Sequence, residues 1–321
     1  MNRNGVTTFL ISTTGFLATI PACALPPEQA VRPAAEVRDA RIVEASGIIA
    51  SRRFPDHYYV HNDSGNPPLV FLIDRNGETR LTFALAGVEN RDWEAISLAP
   101  ARSLASTTSA PAEAPGSPIA KSDWQICIAD IGDNQARHAT VRLLCFPEPT
   151  ALATDTTAPQ QSITPATFEW KYADGPVDAE GFIVNPHTGD GYILTKKPDG
   201  SSDVYKLASP WRRGEVQTAV RIGPLAQSAA GVLTIVTDAA VSPDGRRLIT
   251  RSYLSAWQHT LSNAADPRIA ADFERIFTVE PERIDIPLEL QGEAICYRAD
   301  GLSVLTISEK VPTKLNETAT P

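Results

Sequence analysis

The stretch Arg91-Asp92-Trp93-Glu94-Ala95-Ile96-Ser97-Leu98-Ala99 sets the pattern on which the rest of the chain is built. Its core is an acidic residue, then a small residue, then a short apolar run. The same core returns at Glu44, Glu180, Asp238 and Glu293, and the five acids are 50, 86, 58 and 55 residues apart. A recurring period of this size indicates a repeat architecture.

The longest of these gaps contains an insertion. Residues 101–121 are rich in Ser, Ala, Pro and Thr, unlike the segments on either side. Without them the second spacing comes close to the other three. The insertion therefore interrupts one repeat and adds no further one.

A second strand-like run follows each acidic core and ends in polar residues. Strands that a short loop joins within one sheet run antiparallel, so the first strand begins at the edge where the second ends. The acids of the first element and the polar ends of the second should therefore converge on one mouth. The residues at the ends of the second runs are Asp63, Asp130, Lys196, Arg251 and Glu309.

The strand pattern predicts the fold class. Four short apolar runs separated by Gly, Pro and Asn turns fill about 50 residues per repeat, which is typical of a β-propeller blade. We expect an all-β chain with a single propeller over residues 37–317, of five blades, or six if one repeat is degenerate. A strand at 37–43 and another at 314–317 would complete the last four-stranded antiparallel blade, and 275–279 would be the outer strand of the fourth.

Two turns carry a resemblance to known proteins. Val241-Ser242-Pro243-Asp244-Gly245-Arg246-Arg247-Leu248 resembles the SPDG turn of many bacterial propeller repeats, and Asn185-Pro186-His187-Thr188-Gly189-Asp190-Gly191 is similar to their NPxTG turns. The chain thus resembles secreted bacterial propellers of the phytase-like, NHL and SMP-30 type. The resemblance implies the fold strongly and the activity weakly, since propellers host many unrelated functions.

Composition narrows the classes of partner. The chain has 38 acidic against 29 basic residues and a formal net charge of −9. A general nucleic-acid surface needs clustered Lys and Arg to neutralise phosphates, so this balance argues against one. We expect a monomer whose mouth binds a small anionic substrate or a protein ligand.

The N-terminus has the pattern of an export signal. Arg3 precedes an apolar run, and Ala22-Cys23-Ala24 fits cleavage after residue 24. Residues 25–36 would then be a tether, and the mature protein would be periplasmic or extracellular. Cys23 also permits a lipoprotein anchor, which Pro21 disfavours; no other stretch has the length of a transmembrane helix.

Three cysteines remain after such a cleavage. Cys127 and Cys145 lie on adjacent predicted strands, where they would form a disulfide or remain two buried thiols. Cys296 would be a buried free thiol. The sequence has no CxxC pair and no Cys/His spacing typical of structural zinc.

The predicted mouth is rich in oxygen ligands. So many carboxylates share one site only with raised pKa values, cationic partners or a metal, and Ca²⁺ takes six to eight oxygens. The segment 130–134 is similar to a calcium loop but also fits a turn with local side-chain bonds. The candidate metal ligands are Glu44, Asn62, Asp63, Asp92, Glu94, Asp130, Asp133, Asp178, Glu180, Asp238, Glu293 and Glu309.

The same mouth suggests candidate catalytic groups. Cations among carboxylates would hold an anionic substrate, and His61 would be a general base if it faced the mouth, or a packed core residue if it did not. No GxSxG or P-loop motif is present. The candidate catalytic residues are His61, Glu94, Glu180, Lys196 and Arg251.

Three functions fit these observations. The first is a calcium-dependent hydrolase of phosphate or other esters, as in phytase-like propellers. The second is a non-catalytic extracytoplasmic binding or scaffolding propeller. The third is an SMP-30-like lactonase, whose Glu/Asn/Asp metal shell could be assembled from Glu44, Asp238 and either Asn62 or Asn134. The sequence alone leaves all three open.

Overall fold

The protein is all-β, as predicted. The computed structural model describes residues 31–105, 124–152, 159–227, 231, 233–261, 272–309 and 311–321. These residues contain 21 strands and two short 3-10 helices. No helix among them is long and apolar enough to cross a membrane. The predicted signal segment, residues 25–30 of the tether and residues 106–121 of the insertion lie outside the described residues.

Twenty of the 21 strands fall into five antiparallel units of four strands, and the units are numbered here in chain order. Unit 1 contains β2 (Ala45–Ala50), β3 (His57–Asn62), β4 (Leu69–Asp74) and β5 (Thr79–Leu85). Unit 2 contains β6 (Trp93–Pro100), β7 (Trp124–Asp130), β8 (Val141–Pro147) and β10 (Ala166–Tyr172). Unit 3 contains β11 (Ala179–Val184), β12 (Gly191–Thr195), β13 (Asp203–Leu207) and β14 (Val216–Pro224).

The last two units are shorter. Unit 4 contains β15 (Asp238–Val241), β16 (Arg247–Arg251), β17 (Ala256–Thr260) and β18 (Glu282–Ile284). Unit 5 contains β19 (Gly292–Tyr297), β20 (Ser303–Ser308), β21 (Lys314–Ala319) and, from the other end of the chain, β1 (Val31–Glu36). β1 pairs antiparallel with β21, so the two ends of the described chain close one sheet.

Two parallel pairings link the units. β10 pairs parallel with β14, which joins units 2 and 3 into one eight-stranded sheet. The first strands of those units, β6 and β11, also contact each other, so this sheet nearly closes on itself. β9 (Gln160–Ile163), which the sequence pattern missed, adds to the outer strand β5 of unit 1.

The first strands of the five units lie side by side. β2 contacts β6 and β19, β6 contacts β11, and β15 lies between β11 and β19. Residues such as Ile48, Ala95 and Ile183 on these strands are almost completely buried. Burial on both faces explains why each first strand reads as a nearly continuous apolar run after its acid. The starts of all five strands therefore meet at one end of the molecule.

Two predicted strands are wrong. The strand that closes unit 5 is residues 31–36, which lie inside the predicted tether. Residues 37–43 do not form this strand because the chain turns at Asp39, whose carbonyl accepts the Ile42 N–H at 3.0 Å. Residues 275–279 are largely part of a 3-10 helix, Phe273–Thr278. Its buried residues Phe273, Ile276 and Phe277 are spaced three and four apart, which is a helical period and not a strand period.

The predicted insertion begins as ordered chain. Residues Ala101–Ser103 form a 3-10 turn, and Leu104 pairs with Trp211 of unit 3. The Trp211 N–H donates to the Ser103 carbonyl at 2.6 Å. The start of the insertion is thus attached to the neighbouring unit.

The two cysteines of unit 2 form a disulfide. Cys127 on β7 lies directly opposite Cys145 on β8, and the two sulfurs are bonded with the Cα atoms 4.2 Å apart. Cys296 is a buried free thiol. Of the two alternatives for the first pair, the disulfide is confirmed.

We expect the disulfide to contribute about 3 kcal/mol to the free energy of unfolding, because it closes the loop between Cys127 and Cys145 in the unfolded chain. Thermal melts with and without a strong reductant test this. Reductant should lower the melting temperature of the native protein and leave a Cys127→Ala/Cys145→Ala variant unchanged. Equal melting temperatures for the native protein in both conditions, with thiol titration confirming reduction, would contradict the expectation.

Candidate functional site

β-Bulges at the starts of the first strands place acidic side chains at one end of the molecule. The register shifts by one residue at Glu94 in β6, at Glu180 in β11 and at Glu293 in β19. β2 has the same bulge at Ser46. Bulges re-aim a side chain, and they are frequent beside functional sites. In β15 the corresponding residue is Asp238, which pairs with Arg251 in regular register, without a bulge. These five residues meet at one end of the molecule, and we call this end the mouth.

This register corrects the alignment of the first repeat. Glu44 is not the counterpart of Glu94, because Ser46 occupies the bulge and Glu44 lies two residues earlier. It corresponds instead to Asp92 and Asp178, which precede their bulged glutamates by the same distance. The Glu44 carboxylate accepts a hydrogen bond from the Asn66 amide at 2.7 Å.

Three carboxylates from units 1 and 2 form a tight cluster at the mouth. One carboxylate oxygen each of Asp63, Asp92 and Glu94 lies within 4.8 Å of the others. The backbone of Gly132 lies against them: a Cβ atom there would be 2.3 Å from Glu94 Oε1 and 2.4 Å from Asp92 Oδ2. Only glycine therefore leaves room for these oxygens. We call Asp63, Asp92 and Glu94 the acidic triad.

The triad is held by its neighbours in the chain. The Asn90 amide donates to the Asp63 carbonyl at 2.6 Å, and the Ser64 N–H donates to the Asp63 carboxylate at 2.5 Å. Ser46 Oγ lies 3.5 Å from Glu94 Oε2. Burial, followed by the charges of neighbouring carboxylates, raises the pKa values of Asp63 and Asp92.

Glu94 is coupled to a second glutamate and, through it, to a lysine. The Glu94 and Glu180 carboxyl groups lie close enough to shift each other's pKa, and Lys196 Nζ donates to Glu180. Burial raises the pKa of both carboxyl groups, and in Glu94 the Glu180 charge raises it further. Burial lowers the pKa of Lys196, but the negative charge of Glu180 outweighs the effect of burial, so the pKa of Lys196 is raised overall. The two glutamates thus resist ionising together, next to an ammonium group that stays charged.

Glu293 completes the glutamates of the mouth. It is 6% exposed, and burial, followed by the charges of Glu180 and Glu309, raises its pKa to about 9. The Glu309 carboxylate, also at the mouth, accepts a hydrogen bond from the Gln291 amide at 3.0 Å. At neutral pH, this pKa favours the protonated form of Glu293.

Asp238 joins units 4 and 5. Its carboxylate accepts the N–H groups of Ala239 at 2.7 Å and of Ile295 at 2.8 Å. Burial nevertheless raises its pKa well above the usual range, although these two donors and Arg251 oppose the rise. One oxygen thus bonds within β15 and the other holds β15 to β19, so both are engaged with the main chain.

Arg251, which the sequence suggested as a cation for an anionic substrate, lies in a buried ion pair. Its side chain is fully buried and donates to Glu289, whose other oxygen accepts the Asn316 amide at 2.7 Å. A Cβ atom on Gly292 would be only 1.8 Å from the guanidinium, so the arginine lies directly beneath the start of β19. It ties unit 4 to unit 5 below the mouth.

His61 lies in the core. Of its two alternatives, a base at the mouth or a packed core residue, the structure shows the packed core residue. The ring is fully buried, 5.7 Å from the Trp93 ring and against Gly47. Burial lowers its pKa to about 4. Its neighbour Asn62 is also engaged: the side-chain oxygen accepts the N–H groups of residues 43 and 44, at 3.1 and 3.2 Å. The structure thus places His61 in the core and Asn62 against the main chain, and their predicted roles as base and ligand stay predictions.

The segment 130–134 uses its acids for local contacts. The Asp130 carboxylate accepts Arg142 Nε at 2.6 Å and lies 3.5 Å from Arg91 Nε. The Asp133 carboxylate accepts the His138 N–H at 2.7 Å, and its own N–H donates to Asp178 at 2.9 Å. The segment thus supports the triad through Gly132 and orients Asp178. Its own two acids are not free calcium ligands.

Sequence reasoning missed four residues of the site. Ser46 has no acidic signal and becomes visible only once the bulge is known. Gly132 lies between two acids in the sequence, which is a detectable hint. Tyr253, whose ring centroid is 5.5 Å from Lys196 Nζ, and the buried Glu289 come from loops of other units. No pattern along the chain identifies such partners.

Comparisons with known proteins give no family for this chain. No protein-family model matches it. No curated protein sequence matches it significantly. The functional conclusion therefore depends on the geometry of the mouth.

The raised pKa of Glu293 predicts how stability depends on pH. Between its unfolded value, near 4.5, and its folded value, about 9, the folded protein holds a proton that the unfolded chain releases. Without added cation, the free energy of unfolding should fall as pH rises through this window, by at most about 1.4 kcal/mol per pH unit from this group.

Urea unfolding at several pH values measures this slope. Glu293→Gln, which mimics the protonated acid, should flatten the slope and be more stable than the native protein near pH 8. Glu282→Gln, on the exposed outer strand of unit 4, is the matched control and should leave the slope unchanged. Identical slopes for the native protein and Glu293→Gln would show that the carboxyl is ionised in the folded state.

Proposed function

We propose that the five units are the blades of a five-bladed β-propeller, related to the secreted phytase-like, NHL and SMP-30 type, with the mouth at one end of its axis. The side-by-side first strands, the return of β19 to β2 and the closure of unit 5 by β1 all support this. Closure through the opposite end of the chain removes exposed sheet edges. The mouth would then be the usual site of ligands in such a fold.

We further propose that the mouth binds a divalent cation, with Ca²⁺ as the best fit. The acidic triad supplies three carboxylates, and Ca²⁺ prefers carboxylate and carbonyl oxygens. Gly132 leaves the space that a side chain would fill. The observation that carries this proposal is the close approach of three carboxylates in a place where burial penalises their charge. The positive charge of a cation would offset that penalty. As a consequence, Glu94 would ionise and release its proton.

The function that this site supports best is metal-dependent hydrolysis of a phosphate or other ester. A bound cation supplies charge for the ester oxygen and lowers the pKa of attacking water. Glu180, held next to Lys196, would accept the proton of that water. Glu293, protonated at neutral pH, would give its proton to the leaving oxygen. Two carboxyl groups whose surroundings separate their pKa values are typical of acid–base pairs.

A non-catalytic binding propeller with structural Ca²⁺ is the second candidate. One observation favours it: among the described residues of the mouth, Lys196 is already paired with Glu180, and Arg251 is buried against Glu289. The mouth therefore offers less positive charge to an anionic substrate than the sequence predicted. The lactonase alternative loses its amide ligand Asn62 to the main chain, and Asn134 is exposed on its turn.

Calcium binding should depend on the triad. Asp92→Asn and Glu94→Gln each remove a ligand charge, and we expect either change to weaken Ca²⁺ binding by about 100-fold or more in isothermal titration calorimetry, given the weight of ligand charge in such sites. Glu282→Gln is the control acid. Binding that is equal in all four proteins would place the cation elsewhere and remove the proposed site.

Turnover should separate the two candidates. With Ca²⁺, a nitrophenyl phosphate or carboxylic ester should be hydrolysed, and chelation should abolish the reaction. Glu180→Gln should lower kcat by about 100-fold or more, the usual range for loss of a general base, while Ca²⁺ binding remains. If Ca²⁺ raises the melting temperature but no ester in a broad panel is turned over, the non-catalytic candidate replaces the hydrolase.

A further inference from the structure

The rim of the mouth has the acids of the triad on one side, which we call the acidic side, and exposed apolar side chains next to Glu309 on the other, which we call the apolar side. The rim consists of the loops at the end where the first strands begin. In units 1 and 2 these loops contain Asp63, Asp92 and Asp178, the last in the connection to unit 3. In units 4 and 5 they contain large apolar side chains that are exposed to solvent. These are Leu233 at 43%, Leu288 at 77%, Leu290 at 68% and Val311 at 67%.

The two most exposed of these leucines are held in place by a buried ion pair. Residues 285–291 run across the mouth face from β18 to the start of β19. Glu289 points inward to Arg251 and Asn316, while Leu288 and Leu290 on either side of it point outward. Alternation of this kind is what an extended segment gives. The leucines are thus presented on a fixed backbone, three and five residues from Glu293.

The end of this segment that leads into β19 is fixed as well. The Gly292 N–H donates to the Tyr253 carbonyl at 3.2 Å, and the Glu309 N–H donates to the Gln291 carbonyl at 3.3 Å. Gln291 has a positive φ of 66°, which is unfavourable for a residue with a side chain. Four contacts and one strained residue thus hold two leucines in water beside an acidic mouth. Burying them inward would have been the ordinary solution.

We infer that the ligand of the mouth is an amphipathic anion, with its charged group at the cation on the acidic side and an alkyl or acyl chain across Leu288 and Leu290. The inference rests on the proposed function and adds the substrate class to it. The triad supplies three carboxylates, and Ca²⁺ takes six to eight oxygens, so the oxygens of an anionic group would complete its coordination. The continuity of the apolar rim with Glu293 places a chain attached to that group over the leucines.

The test compares octyl phosphate, below its aggregation concentration, with methyl phosphate, both with Ca²⁺ present. Calorimetry should show about tenfold tighter binding of octyl phosphate, the gain expected when roughly two methylene groups leave water. Leu288→Ser/Leu290→Ser should reduce this preference to less than about threefold. Its melting temperature should be unchanged, because exposed side chains contribute little to stability.

Leu302→Ser is the matched control, because Leu302 is 70% exposed at the opposite end of unit 5. It should keep the full preference for octyl phosphate. Equal affinities for the two phosphates in the native protein would overturn the inference and leave the proposed hydrolase intact. Absence of binding to either phosphate, together with absence of ester turnover, would contradict the proposed function itself. Calcium-dependent adsorption to phosphatidylglycerol vesicles without chain-length preference would assign the leucines to a lipid surface and also overturn the inference.

Discussion

Repulsion between the carboxylates packed at the mouth is the constraint on which the site depends. Burial raises the pKa values of Glu94, Glu180 and Glu293, and Lys196 forms an ion pair with Glu180. Protonation and ion pairing both reduce negative charge in a place where burial makes charge costly. Asp63 and Asp92, which form the acidic triad with Glu94, have no ion pair with a cation among the described residues. This difference between the two halves of the mouth is why a cation is assigned to the triad.

The β-bulges convert a repeated sequence into a functional arrangement. Side chains alternate between the two faces of a regular strand. Without a bulge, the acid before the apolar run would be buried or would point to the opposite face of the sheet. One extra residue lets Glu94, Glu180 and Glu293 point into the mouth while the rest of each strand stays in the core. Unit 1 keeps the bulge but has Ser46, and unit 4 keeps the acid without the bulge. The site is therefore asymmetric although the scaffold is repeated.

The sequence was sufficient for features that depend on local order along the chain. The all-β class, most strand positions, the placement of Cys127 and Cys145 on adjacent strands and the approach of Glu94 to Glu180 all follow from repeat spacing and alternation. Side-chain partners that come from loops or from the core could not be predicted. Arg251 resembles a mouth cation until Glu289 is found beside it, and His61 resembles a base until Trp93 and Gly47 enclose it. The 3-10 helix at 273–278 was missed because Ile-Phe-Thr-Val also favours a strand.

The central claim is that one divalent cation lies between the carboxylates of units 1 and 2. A crystal grown with Ca²⁺, and a second with Mn²⁺ measured for anomalous scattering, tests it directly. The account predicts one strong peak at about 2.3–2.6 Å from oxygens of Asp63, Asp92 and Glu94 in the calcium crystal. The manganese peak should occupy the same place. A mouth that contains only water at saturating cation, or a peak away from these three residues, would contradict the account.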